Sequence, residues 1–319
     1  MHRLSLFFWG TRQLLRWGWP RRIVETYVGL GDELMTSAAL RDLHAESGAR
    51  GTWFLTRYPA LHENSGLPIS YIPWDARLFR LGMRLRRPIV HLHYSDRDET
   101  TGRDMPLPGH YIENLARQLG VRGPVTLKPH FRLDRREKQA AESYAGCIAL
   151  QSSAQGARLP IPTKQWPVER MQYVADALRQ KAGVRVVQLG SADEPLLAGV
   201  EDLRGKLAVR QSAAVLANAR LFVGLPGGLM HLARAVDCRS VIIYGGRELP
   251  AVSGYTANLN LVSNPPCSPC YLIRDCPHDL VCLRDISARE ALLGIERELE
   301  QPVAPLRLDE RRVQATTVE

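Results

Sequence analysis

A chain of 319 residues, 45% hydrophobic and 24% charged, holds enough apolar material for two cores and too much for extended disorder. Its 42 Lys and Arg against 33 Asp and Glu leave a net charge of +9, which favours an anionic partner such as a nucleotide, a phosphorylated glycan or an anionic membrane. The arginines are scattered and no nucleic-acid-binding signature occurs, so nucleic acid is not an expected partner.

The apolar run at Leu4–Gly10 is too short for a signal sequence or a membrane span, and Arg12 and Arg16 interrupt the stretch after it. Leu4, Phe7, Phe8, Leu14, Leu15 and Trp19, with Arg12, Arg16, Arg21 and Arg22, read as a basic amphipathic leader over residues 1–22. Such a segment suits either an anionic membrane surface or packing ahead of the first strand.

Ile23–Val28 reads as a strand running into Gly29, Leu30, Gly31 and Asp32, after which Leu34, Ala38, Leu40 and Leu43 mark a helix ending near Gly48. Gly29 and Gly31 allow a sharp turn and close approach of a ligand. Asp32 at the helix start is either a cap or a base at the mouth of the sheet. Strands come next at Gly51–Thr56, Ile69–Ile72 and Pro88–His93, then a helix at Tyr111–Leu119. His91, His93 and Tyr94, at a strand's carboxyl end where ligands bind an open α/β sheet, are candidate acceptor contacts; a histidine satisfied by backbone is the alternative.

Residues 123–146 are poorly periodic apart from a helical stretch at Asp134–Ala145, and they separate a domain over residues 23–140 from a second over 141–302, with a polar tail at 303–319. The second series has strands at Cys147–Gln151, Val184–Leu189 and Leu207–Val209 and helices at Val168–Gln180, Pro195–Val200 and Ala213–Ala219. Its clearest unit is strand Leu221–Gly224, the turn Pro226–Gly227–Gly228, a helix from about Leu229 and strand Ser240–Tyr244, with a last helix at Ala288–Leu299. Two doubly wound parallel sheets in succession predict an α/β protein of two Rossmann-like lobes with a ligand cleft between them. At the glycine turn the helix N-terminus presents free N–H groups to an anion, and His231 falls in its first turn. Lys164 and Arg158 lie in a loop that would face the same cleft, while Trp166 either packs at the next helix start or stacks a base.

Cys267, Cys270, Cys276 and Cys282 fall within 16 positions. With no export signal evident, they read as a structural tetrahedral zinc or iron site, with His278 able to replace one ligand, or as thiols packed as small hydrophobes.

Three stretches together resemble one family. GLGDELMTSAALRDL (29–43), PTKQWPVERM (162–171) and FVGLPGGLMHLARAV (222–236) are similar to motifs of the bacterial heptosyltransferases, glycosyltransferases of the GT-B architecture. CSPC followed by Cys276 and CLRDIS resembles a cysteine-bearing segment of some members. The resemblance, running from about Ile23 to Leu299, implies inverting transfer of a sugar from a nucleotide donor, typically ADP-heptose, to a lipopolysaccharide or other surface-glycan hydroxyl at the cytoplasmic membrane face, with no cofactor for the chemistry. Carried over by position, Asp32 is the general base. Lys164 with Gly227, Gly228, Leu229, Met230 and His231 holds the donor, and Gly31, His91 and His93 lie on the acceptor side. The family commonly has Asp-Thr/Ser-Gly where this chain has Pro226–Gly227–Gly228, and Gly-Pro where it has Gly245–Gly246, which points to a different nucleotide sugar or weaker donor binding. A nucleotide-sugar epimerase of the same fold and a non-catalytic partner subunit are the competing readings.

Overall fold

The computed structural model describes residues 2–27, 29–98, 100–181, 183–302, 305–306 and 308–312, with only the backbone of 2–7 and 310–312. Val28 and most of the expected tail at 303–319 lie outside these residues.

The chain opens on helix α1 (His2–Trp17), which leads into β1 (Arg22–Glu25). Then come α2 (Leu30–Ser47), β2 (Thr52–Thr56), β3 (Ile69–Pro73), α3 (Arg77–Arg84) and β4 (Ile89–His91). The four strands are parallel in the order β3-β2-β1-β4. Side chains alternate across this sheet. Val24 and Phe54 enter a core with α2, while Ile23, Trp53 and Leu55 face Leu78 and Leu81 of α3 and Trp9, Leu14 and Trp17 of α1. The leader is therefore a helix whose inner side packs on the first lobe, as one of its two expected roles requires, while Phe8 and Leu15 stay exposed.

Beyond β4 lies an antiparallel hairpin, β5 (Ser95–Asp98) and β6 (Arg103–Pro106), which sequence periodicity does not predict because its polar strands carry no apolar alternation. Next come α4 (Tyr111–Gln118), β7 (Pro124–Thr126) and α5 (Arg135–Ala140), the last capped by the Asp134 carboxylate accepting from the Glu137 N–H at 2.8 Å. The poorly periodic stretch thus contains β7. Its partner is β14 (Glu310–Arg312), an antiparallel strand contributed by the segment expected to be a polar tail.

The second lobe comprises β8 (Ile148–Leu150), α6 (Val168–Arg179), β9 (Val186–Gln188), β10 (Glu201–Asp202), α7 (Val209–Asn218), β11 (Leu221–Gly224), α8 (Gly228–Ala235) and β12 (Ser240–Tyr244). It closes with α9 (Pro250–Ser253), β13 (Leu259–Val262), α10 (Val281–Arg284) and α11 (Ala288–Glu300). Its six strands are all parallel, in the order β10-β9-β8-β11-β12-β13. The helix expected over 195–200 does not form: Pro195 lacks an N–H, and Gly199 takes a φ of +73° that no right-handed helix contains. The strand expected at Leu207–Val209 is displaced to the two-residue edge β10.

One continuous apolar core runs from Leu34, Ala38 and Leu115 of the first lobe to Phe222, Met230 and Leu232 of the second. Charged contacts bind the lobes further. The Arg210 guanidinium donates to the Ala60 carbonyl at 2.9 Å and to Glu137, Lys128 meets Asp237 at 2.5 Å, and Arg247 meets Asp104 at 3.1 Å.

Candidate active site

A cleft of about 810 Å³ lies between the lobes, at the carboxyl ends of β1 and β11. The first lobe supplies Gly29, Leu30, Gly31, Asp32, Tyr27, Tyr58, Tyr94, Asp104 and Tyr111 to its wall. The second supplies Arg158, Lys164, Glu194, Glu248 and the run Pro226 to Leu232. Two glycine turns meet here. A Cβ placed on Gly31 would lie 2.8 Å from His231 Cδ2, and one on Gly228 would lie 3.1 Å from Leu30. These glycines are needed for closeness of approach, and the result is that the N-termini of α2 and α8 converge on one region with their unpaired N–H groups.

Asp32 sits in the first turn of α2. Its Oδ2 accepts from the Gly29 N–H at 2.8 Å, half of a capping box, and its Oδ1 accepts from the Tyr94 hydroxyl at 2.6 Å. The expected cap is therefore realised, and the carboxylate also lines the cleft. Burial raises its pKa above the ordinary carboxylate value, while Tyr94, Gly29 and the Lys164 charge oppose the rise. A carboxylate so placed is a stronger base than a solvated one. Tyr94 is held by stacking on Tyr111, with ring centroids 4.1 Å apart, and by the edge of Tyr27 at 5.4 Å. Tyr94→Phe removes one stabilising donor from Asp32, so the acid limb of the kcat/KM profile is expected to move to higher pH. A purely structural role for Tyr94 would leave that limb in place.

Lys164 ends a short 3-10 turn, Pro162–Lys164, and its Nζ donates to Glu248 Oε1 at 2.8 Å. Glu248 also accepts from Arg247 at 2.7 Å and from Ser253 Oγ at 3.1 Å. Burial alone would raise Glu248, but the charges of Lys164 and Arg247 hold it down to about 2. Burial lowers Lys164 from the ordinary lysine value, and Glu248 opposes that loss. The ammonium is thus fixed in direction before any ligand arrives, and its charge reaches Asp32 across the cleft.

His231 lines the cleft beside the turn. It is buried, with Nδ1 2.6 Å from the Tyr255 hydroxyl, and burial together with His110 and Lys164 lowers its pKa to about 3. It is a neutral imidazole near neutral pH, so any contact with an anion would be through a ring N–H and not through a charge. His91 and His93 correct one expectation: neither lines the cleft. His91 Nδ1 pairs with Glu25 at 2.5 Å on an exposed surface, and the His93 backbone N–H donates to Gln118 at 3.2 Å. Of the three residues expected there only Tyr94 lines the cleft, where Tyr27 and Tyr111 join it. Trp166 is buried and donates to the Ile286 carbonyl at 3.0 Å, so it packs and stacks no base.

The cysteines correct another. Among the described residues no group of three or more His, Cys, Asp or Glu side chains could hold a metal ion. Cys282 is buried in the second lobe's core and burial raises its thiol, while Cys267, Cys270 and Cys276 are half-buried. The expected tetrahedral site is not formed, and Cys282 packs as a small hydrophobe.

Glu194 is a site residue that the motifs do not mark. It lies beyond β9 and Gly190, the place in a nucleotide-binding βαβ unit where an acidic residue meets the ribose, and that position is the one signal the sequence offers. Its Oε1 lies 3.3 Å from the Ser191 N–H, its Oε2 is buried with no partner, and burial raises its pKa to about 7. The folded state therefore holds this proton at pH values where an unfolded glutamate has lost it, and stability falls as pH rises from about 4.5 to about 7. Glu194→Gln is expected to raise stability at pH 8 by on the order of 3 kcal/mol, read by urea melts at pH 8 and pH 4. An equal gain at both pH values would contradict this assignment.

Residues 79–279 match the family model of glycosyltransferase family 9 (heptosyltransferase). The chain is similar to lipopolysaccharide heptosyltransferase 1 of Pseudomonas aeruginosa, 31% identical over 169 residues, which is 49% of this chain and 44% of that relative. The match thus spans under half of the relative's own length. Among solved structures, the fold is similar to ADP-heptose lipopolysaccharide heptosyltransferase II of E. coli, with a TM-score of 0.64 at 18% identity, covering 88% of this chain and 98% of the other. It is also similar to the iron-containing dodecameric glycosyltransferase TibC of enterotoxigenic E. coli, with a TM-score of 0.64 at 18% identity over 88% of this chain and 76% of that one. These likenesses show the two-lobed GT-B fold built here from the first parallel sheet and the second. With the family model matched over most of the second lobe and into the first, the chain belongs to glycosyltransferase family 9, the heptosyltransferase family.

Proposed function

We propose that the protein is an inverting glycosyltransferase that moves a heptose or related sugar from a nucleoside-diphosphate donor to a hydroxyl of lipopolysaccharide or another surface glycan. The observation that carries this is the pairing across one cleft of Asp32, half-buried and raised in pKa, with Lys164 and the N-terminus of α8. Asp32 takes the proton of the acceptor hydroxyl as its oxygen forms a bond to the anomeric carbon, and the bond from that carbon to the diphosphate breaks. The electron pair leaves with the diphosphate, whose growing charge meets Lys164 and the N–H groups at Gly228 and Leu229. Met230 supports this turn from the core, and neutral His231 fixes the approach of Gly31. Glu194, with its free buried oxygen, accepts from a ribose hydroxyl of the donor.

Pro226 lines the cleft where the family's acidic residue commonly stands, so the donor sugar is held there without a carboxylate or a hydroxyl. ADP-heptose and other nucleoside-diphosphate sugars are the donors to compare. The chemistry calls on no cofactor. The reading places the protein in the cytoplasm, working at the inner face of the cytoplasmic membrane, and among the described residues no helix is long and apolar enough to cross it.

The test is nucleotide release from a panel of labelled donors, with and without purified lipopolysaccharide acceptor. Release that requires the acceptor, with label passing to the glycan, supports the proposal. Donor rearranged without acceptor would support the epimerase reading, and inert donors throughout would support a non-catalytic subunit.

A further inference from the structure

Most of the chain's net charge lies in two segments. Residues 1–24 hold five arginines and no acid, and residues 76–91 hold five more and no acid, against +9 for the whole chain. The remainder is close to neutral. The fold brings these two segments together. Gly10 of α1 faces Leu81 of α3, the Arg77 guanidinium lies 4.5 Å over the Trp9 ring, and that of Arg87 lies 6.0 Å from Trp19.

The outward side of α1 is not that of an ordinary surface helix. Trp9, Gly10, Leu14 and Trp17 turn inward, and Phe8, Arg12, Leu15 and Arg16, spaced at helical repeats, turn outward. Phe8 is 68% exposed, Leu15 84% and, just beyond the helix, Trp19 58%; Met83 of α3 is 62% exposed. Large apolar side chains at the outermost positions of a helix, interleaved with arginine and lacking acids, match the chemistry of a bilayer interface: the apolar groups enter the acyl boundary while the guanidinium groups meet lipid phosphates.

We infer that α1 and α3 form a docking face for an anionic lipid bilayer. The face sits on the lobe that carries Asp32, so on the glycosyltransferase reading docking would bring that lobe to the membrane bearing the glycan's lipid anchor. The surface itself does not depend on that reading. Charge complementarity selects this occupant over a second copy of the chain, because two such faces would oppose like charge to like.

The experiment is co-sedimentation of the full chain with vesicles of phosphatidylcholine alone or with about 30% phosphatidylglycerol, with no donor or acceptor added. Binding is expected to the anionic vesicles only and to weaken with salt. Arg12→Glu/Arg16→Glu is expected to lower the partition coefficient by more than about tenfold, and Leu15→Ser/Trp19→Ser by a similar factor. Both double variants change exposed side chains, and unchanged circular dichroism and melting temperature confirm that each is folded. Equal binding to neutral vesicles, no binding at all, or binding that both variants leave intact overturns the inference. So does a dimer in light scattering that Leu15→Ser/Trp19→Ser dissociates while the wild type ignores vesicles. Lipid binding without sugar transfer would leave the docking face standing and remove only the catalytic reading.

Discussion

Asp32→Asn is expected to lower glycosyl transfer by about a thousandfold, the scale of a lost general base. Donor affinity should stay within a factor of about two, because in the proposed mechanism the carboxylate meets the acceptor hydroxyl and Lys164 with the α8 N-terminus meets the diphosphate. Asn keeps the volume and one acceptor toward the Gly29 N–H or the Tyr94 hydroxyl, contacts of 2.8 Å and 2.6 Å in the wild type. The loss should therefore fall on kcat, with KM for the donor unchanged and the melting temperature preserved. Transfer within tenfold of wild type would remove Asp32 from the chemistry, and a loss of donor affinity equal to the loss of rate would reassign it to binding.

The second large effect is on stability. Glu248→Ala is expected to destabilise the fold by about 3–5 kcal/mol, because it leaves Lys164 and Arg247 buried without their shared partner. The pH dependence identifies the cause. Glu248 is held at about 2, below the ordinary glutamate value of 4.5, so the unfolded chain binds its proton first as pH falls. The stability it contributes is present above about 4.5 and is lost as pH drops from there towards 2, an amount on the order of 3 kcal/mol. Urea melts between pH 3 and pH 7 should show this slope in the wild type and a flatter one in Glu248→Ala. Equal slopes would mean that the carboxylate's charge is not what holds the cluster. Glu248→Gln keeps the shape and one acceptor, and should fall between the two.

Local function decides which parts of this site are legible in the sequence. Leu221–Gly224, the glycine turn, α8 and Ser240–Tyr244 are readable because periodicity and turn chemistry agree over 24 residues. Asp32 and Lys164 are readable as charged groups at a strand–helix turn and in a cleft-facing loop. Their partners are not. Tyr94 reaches Asp32 from 62 positions away and Glu248 reaches Lys164 from 84, and no local pattern encodes such a pairing. His91 and His93 stand at a strand's end as the expectation required, yet the sheet turns them away from the cleft, with His91 held by Glu25 from the neighbouring strand. His231 shows the same gap in another form. Its place in the first turns of α8 is visible, whereas its burial beside Tyr255 and the opposite lobe's Gly31 is not. The hairpin β5–β6 and the strand β14 are short and polar, so they are held by backbone pairing and leave no hydrophobic signature.

The central claim is that a nucleoside diphosphate lies between Lys164 and the N-terminus of α8. Titration calorimetry with ADP-, GDP- and UDP-sugars on the wild type, Lys164→Ala and Asp32→Asn tests it most directly. Heat is expected from at least one donor, with binding weakened more than about tenfold in Lys164→Ala, the scale of a charge-assisted contact, and retained in Asp32→Asn. Silence from every donor, or a binding donor that Lys164→Ala leaves untouched, would contradict it.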